Sequence, residues 1–345
     1  MRAIFDDAAH TDTFEGLLAR LNDESTGALV FKSPHAMEIP ESYEPLVPDD
    51  LAEFAERPRG KALELGMGSR LSLAGAQSKL GLFHKGADAN VGWFAPKGSA
   101  PSNFIVKAVD GTFPHQTINE ALCLLTARNL GLESANAQLI DVGTPDPLIA
   151  VQRFDRANGE GERPTRLHEE DFCQALGWPS RRKYEPTDGN YAAIMAELVD
   201  RESSNPFGDR AFLFNCLLFD WMIGNCDNHL KNWSFVYSPD WTRRTVSPLY
   251  DVTCTTYYPA LDAEMGVSVR ASRRYDDARM EDIIDTAKAM GLPKKLAVSE
   301  FETLRDGFQN AIEEASETIS GQGFSDVQLI AEHIIASFNK RANRL

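Results

Sequence analysis

The chain has 345 residues, of which 43% are hydrophobic and 25% are charged, and its formal net charge is −16. This length suits one large domain or two medium ones, and the composition is that of an ordinary globular protein. The negative charge argues against direct binding to nucleic acid, because phosphate backbones are repelled, and five dispersed cysteines without a Cys-x-x-Cys pair argue against a disulfide framework or a zinc site.

Residues 1–65 are expected to form a shortened N-terminal segment. The first residues, MRAIFDDAAHTDTFEG, lack the basic start and apolar core of a signal peptide, and no apolar run approaches the roughly 20 residues of a membrane-spanning helix. A cytoplasmic location is therefore expected. GALVFK, from Gly27 to Lys32, is typical of a strand, and the acidic, proline-rich IPESYEPLVPDDLAEF leads into a short helix.

Residues 66–156 are predicted to be a strand-rich N-lobe that carries one helix. Four stretches have the apolar patterns of strands, namely LGLFHKG, NVGWFAPKG, NFIVKAV and LIAVQRFDR. Between the last two, TINEALCLLTARNLG repeats apolar residues at helical spacing, and Gly131 is placed to end that helix.

Residues 157–345 are predicted to be a helical C-lobe. EEDFCQALG, NYAAIMAELV and DRAFLFNCLLFDWMIGN have helical spacing, and three more helices are predicted around Met280–Met290, Ser299–Glu314 and Ser325–Asn343. A strand-rich lobe followed by a helical lobe is an α+β fold. A ligand-binding cleft is expected where the two lobes meet.

The stretch IGNCDNHLKNWSF gathers polar residues between a buried helix and a strand. Phosphoryl-transfer enzymes of the protein-kinase type need an Asp that accepts the proton of the nucleophile and an Asn five residues later that binds Mg²⁺, and Asp227 and Asn232 have this spacing. LYDVT supplies a second acidic group, Asp251. Mg²⁺ prefers such carboxylate and amide oxygens together with phosphate, so the three residues predict a catalytic and metal-binding unit.

The alternative for these residues is structural. Asn and Asp are common turn formers, because they tolerate left-handed backbone and bond to nearby backbone groups, and any one of them alone fits that role. The agreement of three independent spacings favours catalysis for the set. His229 either contacts a phosphate or orients Asp227, and Lys231 is expected to be solvated.

The nucleotide is expected to bind in the strand-rich lobe. Lys107 is the one Lys inside the apolar strand NFIVKAV, and such a Lys is costly unless it meets an anion. Glu120 either pairs with Lys107, as a helix Glu does in kinases, or forms a capping box with Thr117. SLAGAQSKLGLF has a single early glycine, Gly75, but its small residues would let backbone N–H groups approach a phosphate, with Lys79 as the counter-charge.

Together these motifs resemble the HipA-like serine/threonine kinases. The resemblance runs from about Leu71 to Pro259, with a weaker helical match to the end. It rests on SLAGAQSK, FIVK, NEALCLLTARNLGL, VQRFDR, EEDFCQALG, KYE, DNHLKN and PLYDV, which occur in the family's order and approximate spacing. It implies a bilobal protein-kinase-like fold that binds ATP and Mg²⁺ and phosphorylates proteins on Ser or Thr.

The resemblance also implies a role for each matching residue. Asp227 is similar to the catalytic Asp, and Asn232 and Asp251 are similar to the metal ligands. Lys107 is similar to the Lys that binds the ATP phosphates, and Ser72 is similar to the Ser whose autophosphorylation turns such kinases off. The resemblance assigns three further groups of residues to the nucleotide site. The phosphate loop is Ala74, Gly75, Ala76, Gln77, Ser78 and Lys79, and the adenine hinge is Gln152, Arg153 and Phe154. His229 and Tyr250 are the two ring side chains that flank the site.

The same resemblance implies partners. In studied members the protein substrate is an aminoacyl-tRNA synthetase, and the kinase is the toxin of a toxin–antitoxin pair that a small helix-turn-helix protein neutralises. Only about seventy residues precede the phosphate loop here, as in the compact HipT-type members, in which the missing subdomain is a separate small protein. Gln152 stands where longer members carry Glu, which changes a charge near the adenine site.

Other functions remain open from the sequence. The chain could be a HipA-like kinase without a toxin role, a kinase that acts on a small molecule or lipid, or a nucleotide-binding pseudokinase. The intact Asp227, Asn232, Asp251 and Lys107 argue against a pseudokinase. The lack of a basic membrane-facing patch argues against a lipid substrate.

Overall fold

The computed structural model describes residues 25–30, 39–61, 64, 78–109, 111–158, 163–269 and 273–344. These residues divide into two compact units. The first unit takes the described residues of Met1–Thr112 and Leu139–His168, and the second takes those of Phe113–Gln138 and Glu169–Leu345. Both units combine helices with antiparallel strand pairs, so the predicted α+β class is confirmed.

The first unit contains a six-stranded sheet, apart from Ala137 and Gln138 at one edge, which group with the second unit. Its strands are β1 Ser42–Pro45, β2 Lys79–His84, β3 Trp93–Lys97, β4 Phe104–Lys107, β5 Ala137–Ile140 and β6 Leu148–Gln152, in the order β1-β3-β2-β4-β6-β5. Helix α1, Pro48–Glu56, buries Leu51 and Phe54 in a core with Leu82, Trp93 and Val106 of the sheet. Strands β2, β3, β4 and β6 and helix α1 confirm the elements predicted from these stretches.

The first unit differs from the prediction in three places. GALVFK is described only from Gly27 to Val30, and those residues form a bend instead of a strand. Gly27 has a φ of 72°, and its N–H donates to the Asp155 carboxylate at 2.7 Å, so it cannot join a regular strand ladder. Strand β1 was not predicted, and β7 Arg156–Asn158 pairs with β8 Pro164–Arg166 in a two-stranded ribbon.

The second unit is mostly helical. Its helices are α2 Gln116–Asn129, α3 Phe172–Ala175, α4 Tyr191–Glu202, α5 Pro206–Ile223, α6 Met280–Ala289, α7 Lys294–Gly321 and α8 Val327–Ala342. Helix α2 packs against α7 and groups with this unit, whereas the sequence places it with the strand-rich lobe. The five helices predicted from NYAAIMAELV onward are confirmed, although their ends differ. Helix α7 is longer than expected, at 28 residues.

A small sheet lies among these helices. It consists of β9 Glu169–Asp171, β10 Ser234–Tyr237 and β11 Arg244–Val246, with β10 in the centre. The prediction of one helix for EEDFCQALG is therefore wrong in its first three residues, which pair with β10. Helix α3 begins only after Asp171, whose carboxylate accepts the Gln174 N–H at 2.9 Å and so caps the helix start.

Helix α5 forms the apolar centre of the second unit. Leu213, Phe214, Leu217, Phe219 and Trp221 are fully buried, so the helix packs on all sides rather than along one stripe. None of the helices in the described part of the chain combines the length and the apolarity that a lipid bilayer requires. Helix α5 is therefore a core helix.

The end of α5 is held by two features. Gly224 follows the last helical residue with a φ of 74°, the left-handed conformation that glycine adopts without steric cost. Arg341, from α8, donates from Nη2 to the carbonyl oxygens of Trp221 and Met222 at 2.9 and 2.8 Å. Its guanidinium thus satisfies carbonyls that have no partner within the helix and places a positive charge at the negative end of the helix dipole.

Replacement of Gly224 is expected to destabilise the chain strongly. A Cβ atom there would collide with the Thr256 side chain, in addition to the cost of a left-handed φ. We expect Gly224→Ala to lower the free energy of unfolding by about 3 kcal/mol in urea titrations. Gly131→Ala is the matched control, because Gly131 also follows a helix with a φ of 80° but has open space at its Cβ position, and it is expected to cost about 1 kcal/mol. Equal costs would show that the Thr256 contact is unimportant.

Candidate active site

The loop between α5 and β10 carries the residues predicted to be catalytic. It is held by its own backbone: Asn225 N donates to Asp220 O, His229 N to Asp227 O and Asn232 N to His229 O, each at 2.8 Å. The loop is otherwise buried, but the Asp227 side chain is 56% exposed. A single carboxylate is thus presented to solvent from a fixed backbone.

Asp227 and Asn232 are in direct contact. Asn232 Nδ2 donates to the backbone oxygen of Asp227 at 2.8 Å, which places the two residues together as their spacing predicts. This bond fixes the orientation of the amide. The Asn232 Oδ1 atom accepts no hydrogen bond from a described residue, so an oxygen of the type that Mg²⁺ prefers remains available at the loop.

Asp251 lies on the segment that follows β11. It is exposed and has a φ of 56°, a left-handed conformation that Asp tolerates better than most residues but that is still uncommon. Its neighbour Tyr250 donates to Lys231 O at 3.0 Å and shares a 2.7 Å hydrogen bond with Ser234 Oγ. These bonds join the Asp251 segment to the loop that carries Asn232.

A second contact fixes the Asp251 segment from the other side. Asn119 of α2, which is fully buried, donates from Nδ2 to Cys254 O at 3.0 Å and accepts the Cys254 N–H on Oδ1 at 2.9 Å. The side-chain amide therefore pairs with one residue's backbone as a neighbouring strand would. This role of Asn119 was not predicted, because its partner lies 135 residues away in the chain.

His229 is buried beside the two acidic residues. Its Nε2 atom is 3.8 Å from Asp227 Oδ1, and its Nδ1 atom has no hydrogen-bond partner among the described residues. Burial lowers the pKa of His229, although the charges of Asp227 and Asp251 oppose that shift. The imidazole is therefore neutral at pH 7, and its contact with Asp227 fits the orienting role better than permanent charge pairing with a phosphate.

Lys231 is not solvated as predicted. Its ammonium forms an ion pair with the Asp171 carboxylate, which also caps helix α3. The side chain therefore ties the loop to the small sheet. The prediction failed because the sequence places the two residues 60 positions apart.

Asn228 and Gly266 hold the inner edge of the loop. Asn228 accepts the Val267 N–H on Oδ1 at 3.0 Å and donates from Nδ2 to Val267 O at 3.1 Å, while Gly266 N donates to Cys226 O at 2.9 Å. A Cβ on Gly266 would lie 2.8 Å from His229 N, so only glycine lets the two chains approach this closely. Both residues were missed by sequence reasoning.

Asp220 lies beneath the loop, on the last turn of α5. Its carboxylate is buried and accepts a hydrogen bond from Asn225 Nδ2 at 2.8 Å. Burial raises the pKa of Asp220 to about 7, although hydrogen bonds from Asn225 and Asn228 oppose the shift. A buried carboxyl group that forms no ion pair with a described residue therefore supports two of the asparagines of the loop.

The residues predicted to bind nucleotide lie partly in the first unit. Lys107 is only 5% exposed, and in the sheet it lies directly opposite Lys79, with Leu80 opposite Val106. Opposed residues on antiparallel strands project from the same face with Cβ atoms about 4.5 to 5.5 Å apart, and like charges in such pairs repel. The arrangement brings the two predicted phosphate-binding lysines together.

The predicted hinge is built on buried charge. Arg153 donates to both oxygens of Asp155, at 2.9 and 2.7 Å, and Arg156 donates to the same carboxylate at 2.9 Å. Burial would raise the pKa of Asp155, but the two guanidinium groups lower it to about 2. The Arg153 side chain is thus structural. Its backbone N–H donates to Asn103 O at 2.9 Å. Gln152, by contrast, is exposed at the end of β6.

Glu120 does not belong to a capping box. Helix α2 begins at Gln116, with His115 as the preceding residue, so Thr117 lies inside the helix instead of before it. The capping interpretation of Glu120 is therefore wrong, and the Glu120 side chain is buried on α2. Ser72 and the phosphate-loop residues Ala74, Gly75, Ala76 and Gln77 lie outside the described residues, while Ser78 and Lys79 lie at the start of β2.

The donor set fits a magnesium ion that is shared with phosphate. Within the described ranges, no cluster of three or more His, Cys, Asp or Glu side chains could hold a metal by itself. Asn232 and Asp251 supply one amide oxygen and one carboxylate. Mg²⁺ is commonly held by one or two such groups with waters and substrate phosphates completing the coordination.

Known proteins share this arrangement of sequence and fold. The model of the HipA-like C-terminal domain family matches residues 71–312. The serine/threonine-protein kinase toxin HipA of Shewanella oneidensis is 29% identical over 312 residues, which cover 86% of this chain and 70% of that protein. The Y4mE protein of Sinorhizobium fredii is 32% identical over 279 residues, which cover 77% of this chain but only 63% of Y4mE.

A solved structure extends the similarity to the fold. HipA of Shewanella oneidensis MR-1, solved in complex with HipB and its operator DNA, superposes with a TM-score of 0.80 at 25% sequence identity. The match covers 98% of this chain and 80% of that chain. The predicted protein-kinase-like fold is therefore confirmed.

Replacement of Asp220 is expected to change stability in a pH-dependent way. Its pKa rises on folding from 3.8 to about 7, so the protonated carboxyl group favours the folded state. This contribution to the free energy of unfolding is fully present below pH 4 and is lost as the pH rises through 7. The free energy of unfolding of Asp220→Asn, relative to the original chain, is expected to increase by about 2 to 4 kcal/mol between pH 4 and pH 8. Urea titrations at both pH values measure this difference. A difference independent of pH would contradict the shift.

Proposed function

The chain belongs to the HipA-like C-terminal domain family, and from that membership and the loop geometry we propose that it is an ATP- and Mg²⁺-dependent serine/threonine protein kinase. The observation that carries the proposal is the Asp227–Asn232 pair. Asp227 exposes its carboxylate and accepts on its backbone oxygen a 2.8 Å hydrogen bond from Asn232, the amide that would hold the metal five residues away. This is the arrangement that phosphoryl transfer to a hydroxyl requires.

In the proposed reaction Asp227 acts as the proton acceptor. The oxygen of a Ser or Thr hydroxyl bonds to the γ-phosphorus, the bond from that phosphorus to the β,γ-bridging oxygen breaks, and ADP leaves while the hydroxyl proton passes to Asp227. Asn232 and Asp251 would hold Mg²⁺, which when bound neutralises charge on the phosphate oxygens. His229, neutral and in contact with Asp227, would help to orient the carboxylate without adding a charge.

The first unit supports the ATP part of the proposal. Lys107 and Lys79 lie opposite each other on β4 and β2, and Lys107 is buried. A phosphate group bound beside them would gain charge-assisted contacts from both ammonium groups. The backbone near Gln152 and Phe154 is proposed to meet the adenine, with Ala74 to Lys79 as the phosphate loop and Tyr250 at the nucleotide site.

We further propose a biological role by similarity to HipA of Shewanella oneidensis, which is named a kinase toxin and has been solved with HipB and operator DNA. The chain would act as the toxin of a toxin–antitoxin pair, in the cytoplasm, on a translation factor such as an aminoacyl-tRNA synthetase. A small helix-turn-helix antitoxin, and a separate small protein similar to the N-terminal subdomain, would be its partners. Autophosphorylation of Ser72 would switch it off, because added charge opposes docking of a phosphate-binding loop.

Replacement of Asp227 tests the reaction. Asp227→Asn is expected to lower ATP-dependent phosphorylation by about 100-fold or more, because the amide cannot accept the proton. Mass spectrometry of the purified chain after incubation with Mg²⁺ and ATP, and phosphoproteomics of cells expressing either form, measure the effect and identify the target. Phosphate is expected on Ser72 of the original chain and not of the variant.

The control is Asp285→Asn, the same chemical change at an exposed position of α6 that forms no hydrogen bond with a described residue. It is expected to retain full activity. Undiminished phosphorylation by Asp227→Asn would refute the catalytic assignment, and an unmodified Ser72 in the active chain would refute the proposed autoregulation.

Replacement of Lys107 tests the nucleotide site separately from chemistry. Lys107→Ala is expected to raise the Kd for ATP about tenfold or more in isothermal titration calorimetry, because a charge-assisted contact with phosphate is lost. Lys85→Ala, an exposed lysine just after β2, is expected to leave the Kd unchanged. If both variants bound ATP as tightly as the original chain, the first unit would not hold the phosphates through Lys107.

A further inference from the structure

A second segment of the chain, which we call the clamp loop, is attached to the catalytic loop. It comprises residues 178–185 and precedes α4. Lys183 O accepts the Leu230 N–H at 3.0 Å, and Glu185 N donates to Gly266 O at 2.9 Å. The clamp loop is therefore bonded both to the catalytic loop and to the segment around Gly266 that supports it.

Buried polar contacts fix the clamp loop further. Glu185 is buried, and its carboxylate accepts the Tyr191 N–H at 2.6 Å on one oxygen and the Ser268 N–H at 2.7 Å on the other. Tyr191 Oη donates to Arg182 O at 2.8 Å. Because its ends and its middle are all bonded to neighbouring segments, the backbone on either side of Tyr184 has little freedom to move.

Tyr184 uses this fixed backbone to reach the catalytic carboxylate. Its hydroxyl donates to Asp227 Oδ1 at 2.6 Å, and its ring meets the His229 ring edge-to-face with centroids 5.2 Å apart. Among the described residues, no other group donates a hydrogen bond to the Asp227 carboxylate. The orientation of that side chain therefore depends on Tyr184.

We propose that Tyr184 is a positioning residue for phosphoryl transfer: its hydroxyl holds Asp227 through Oδ1 so that Oδ2 faces the hydroxyl of the protein substrate. The inference rests on the proposed kinase function and adds a residue to it. An ionised carboxylate accepts several hydrogen bonds on its two oxygens, so the bond to Tyr184 leaves the second oxygen available to the substrate.

The opposite role, in which Tyr184 blocks Asp227 and must leave before substrate binds, fits the structure less well. The Asp227 side chain is 56% exposed while it is bonded to Tyr184, so the carboxylate is not covered. Burial, together with the hydrogen bond to Asp227, raises the pKa of Tyr184 above its ordinary value, so the hydroxyl remains a donor at physiological pH.

The test compares Tyr184→Phe with Tyr191→Phe. The first substitution keeps the ring that contacts His229 and removes only the hydroxyl that touches Asp227; the second removes a hydroxyl of equal size that supports the same loop through Arg182 O. Steady-state transfer of labelled phosphate from ATP, to dephosphorylated casein or to the chain itself, gives kcat and KM. Thermal melting of each variant checks that it is folded.

Tyr184→Phe is expected to lower kcat about 10- to 100-fold, the loss typical of a hydrogen bond to a charged group, with the KM for ATP within about twofold of the original. Tyr191→Phe is expected to keep kcat within about threefold. An unchanged or increased kcat for Tyr184→Phe, or an equal loss in both variants, would overturn the positioning role. Absence of phosphoryl transfer by the original chain would instead overturn the proposed function itself.

Discussion

The end of helix α5 is the constraint on which the candidate active site depends, because the loop that carries Asp227 and Asn232 begins where that helix stops. The helix is too apolar to be displaced from the core, so its last residue fixes the position of the first loop residue. Gly224 provides the left-handed turn, and the Arg341 guanidinium donates to the carbonyl oxygens of Trp221 and Met222 in the last turn of the helix. The chain then has only a few residues before β10 begins, and the exposed carboxylate of Asp227 lies among them.

Around the site, side-chain amides form hydrogen bonds with backbone groups that a neighbouring strand would bind in a sheet. Asn119 pairs with Cys254, Asn228 pairs with Val267, and Asn232 bonds to the Asp227 carbonyl. Each amide satisfies backbone groups of an irregular segment that would be costly to bury alone. Irregular backbone can therefore be buried close to the exposed carboxylate of Asp227. The left-handed conformation of Asp251 becomes tolerable because its neighbours are fixed.

Sequence patterns predicted those parts of the structure that depend on local periodicity. Helix α5, strands β2 to β4 and the spacing of Asp227 to Asn232 all follow from residues close in the chain. Contacts such as Lys231 with Asp171 or Tyr184 with Asp227 join residues 60 and 43 positions apart, and no local pattern indicates them. Strand β9 was mistaken for helix because three residues carry too little pattern, and pairing with β10 decided their conformation. Helix α2 begins at Gln116, one residue before Thr117. Thr117 is therefore inside the helix and cannot form the predicted capping box.

The Arg341 contact has a consequence for the order in which the protein matures. Ribosomes deliver the chain from its N-terminus, so the carbonyl groups of Trp221 and Met222 are made about 120 residues before the guanidinium that caps them. Until Arg341 has emerged and α8 has docked, the end of α5 lacks the hydrogen bonds that Arg341 donates. The loop that follows α5 then lacks the support that these bonds provide. A nascent chain would therefore carry Asp227 in an unfinished setting until α8 has been made.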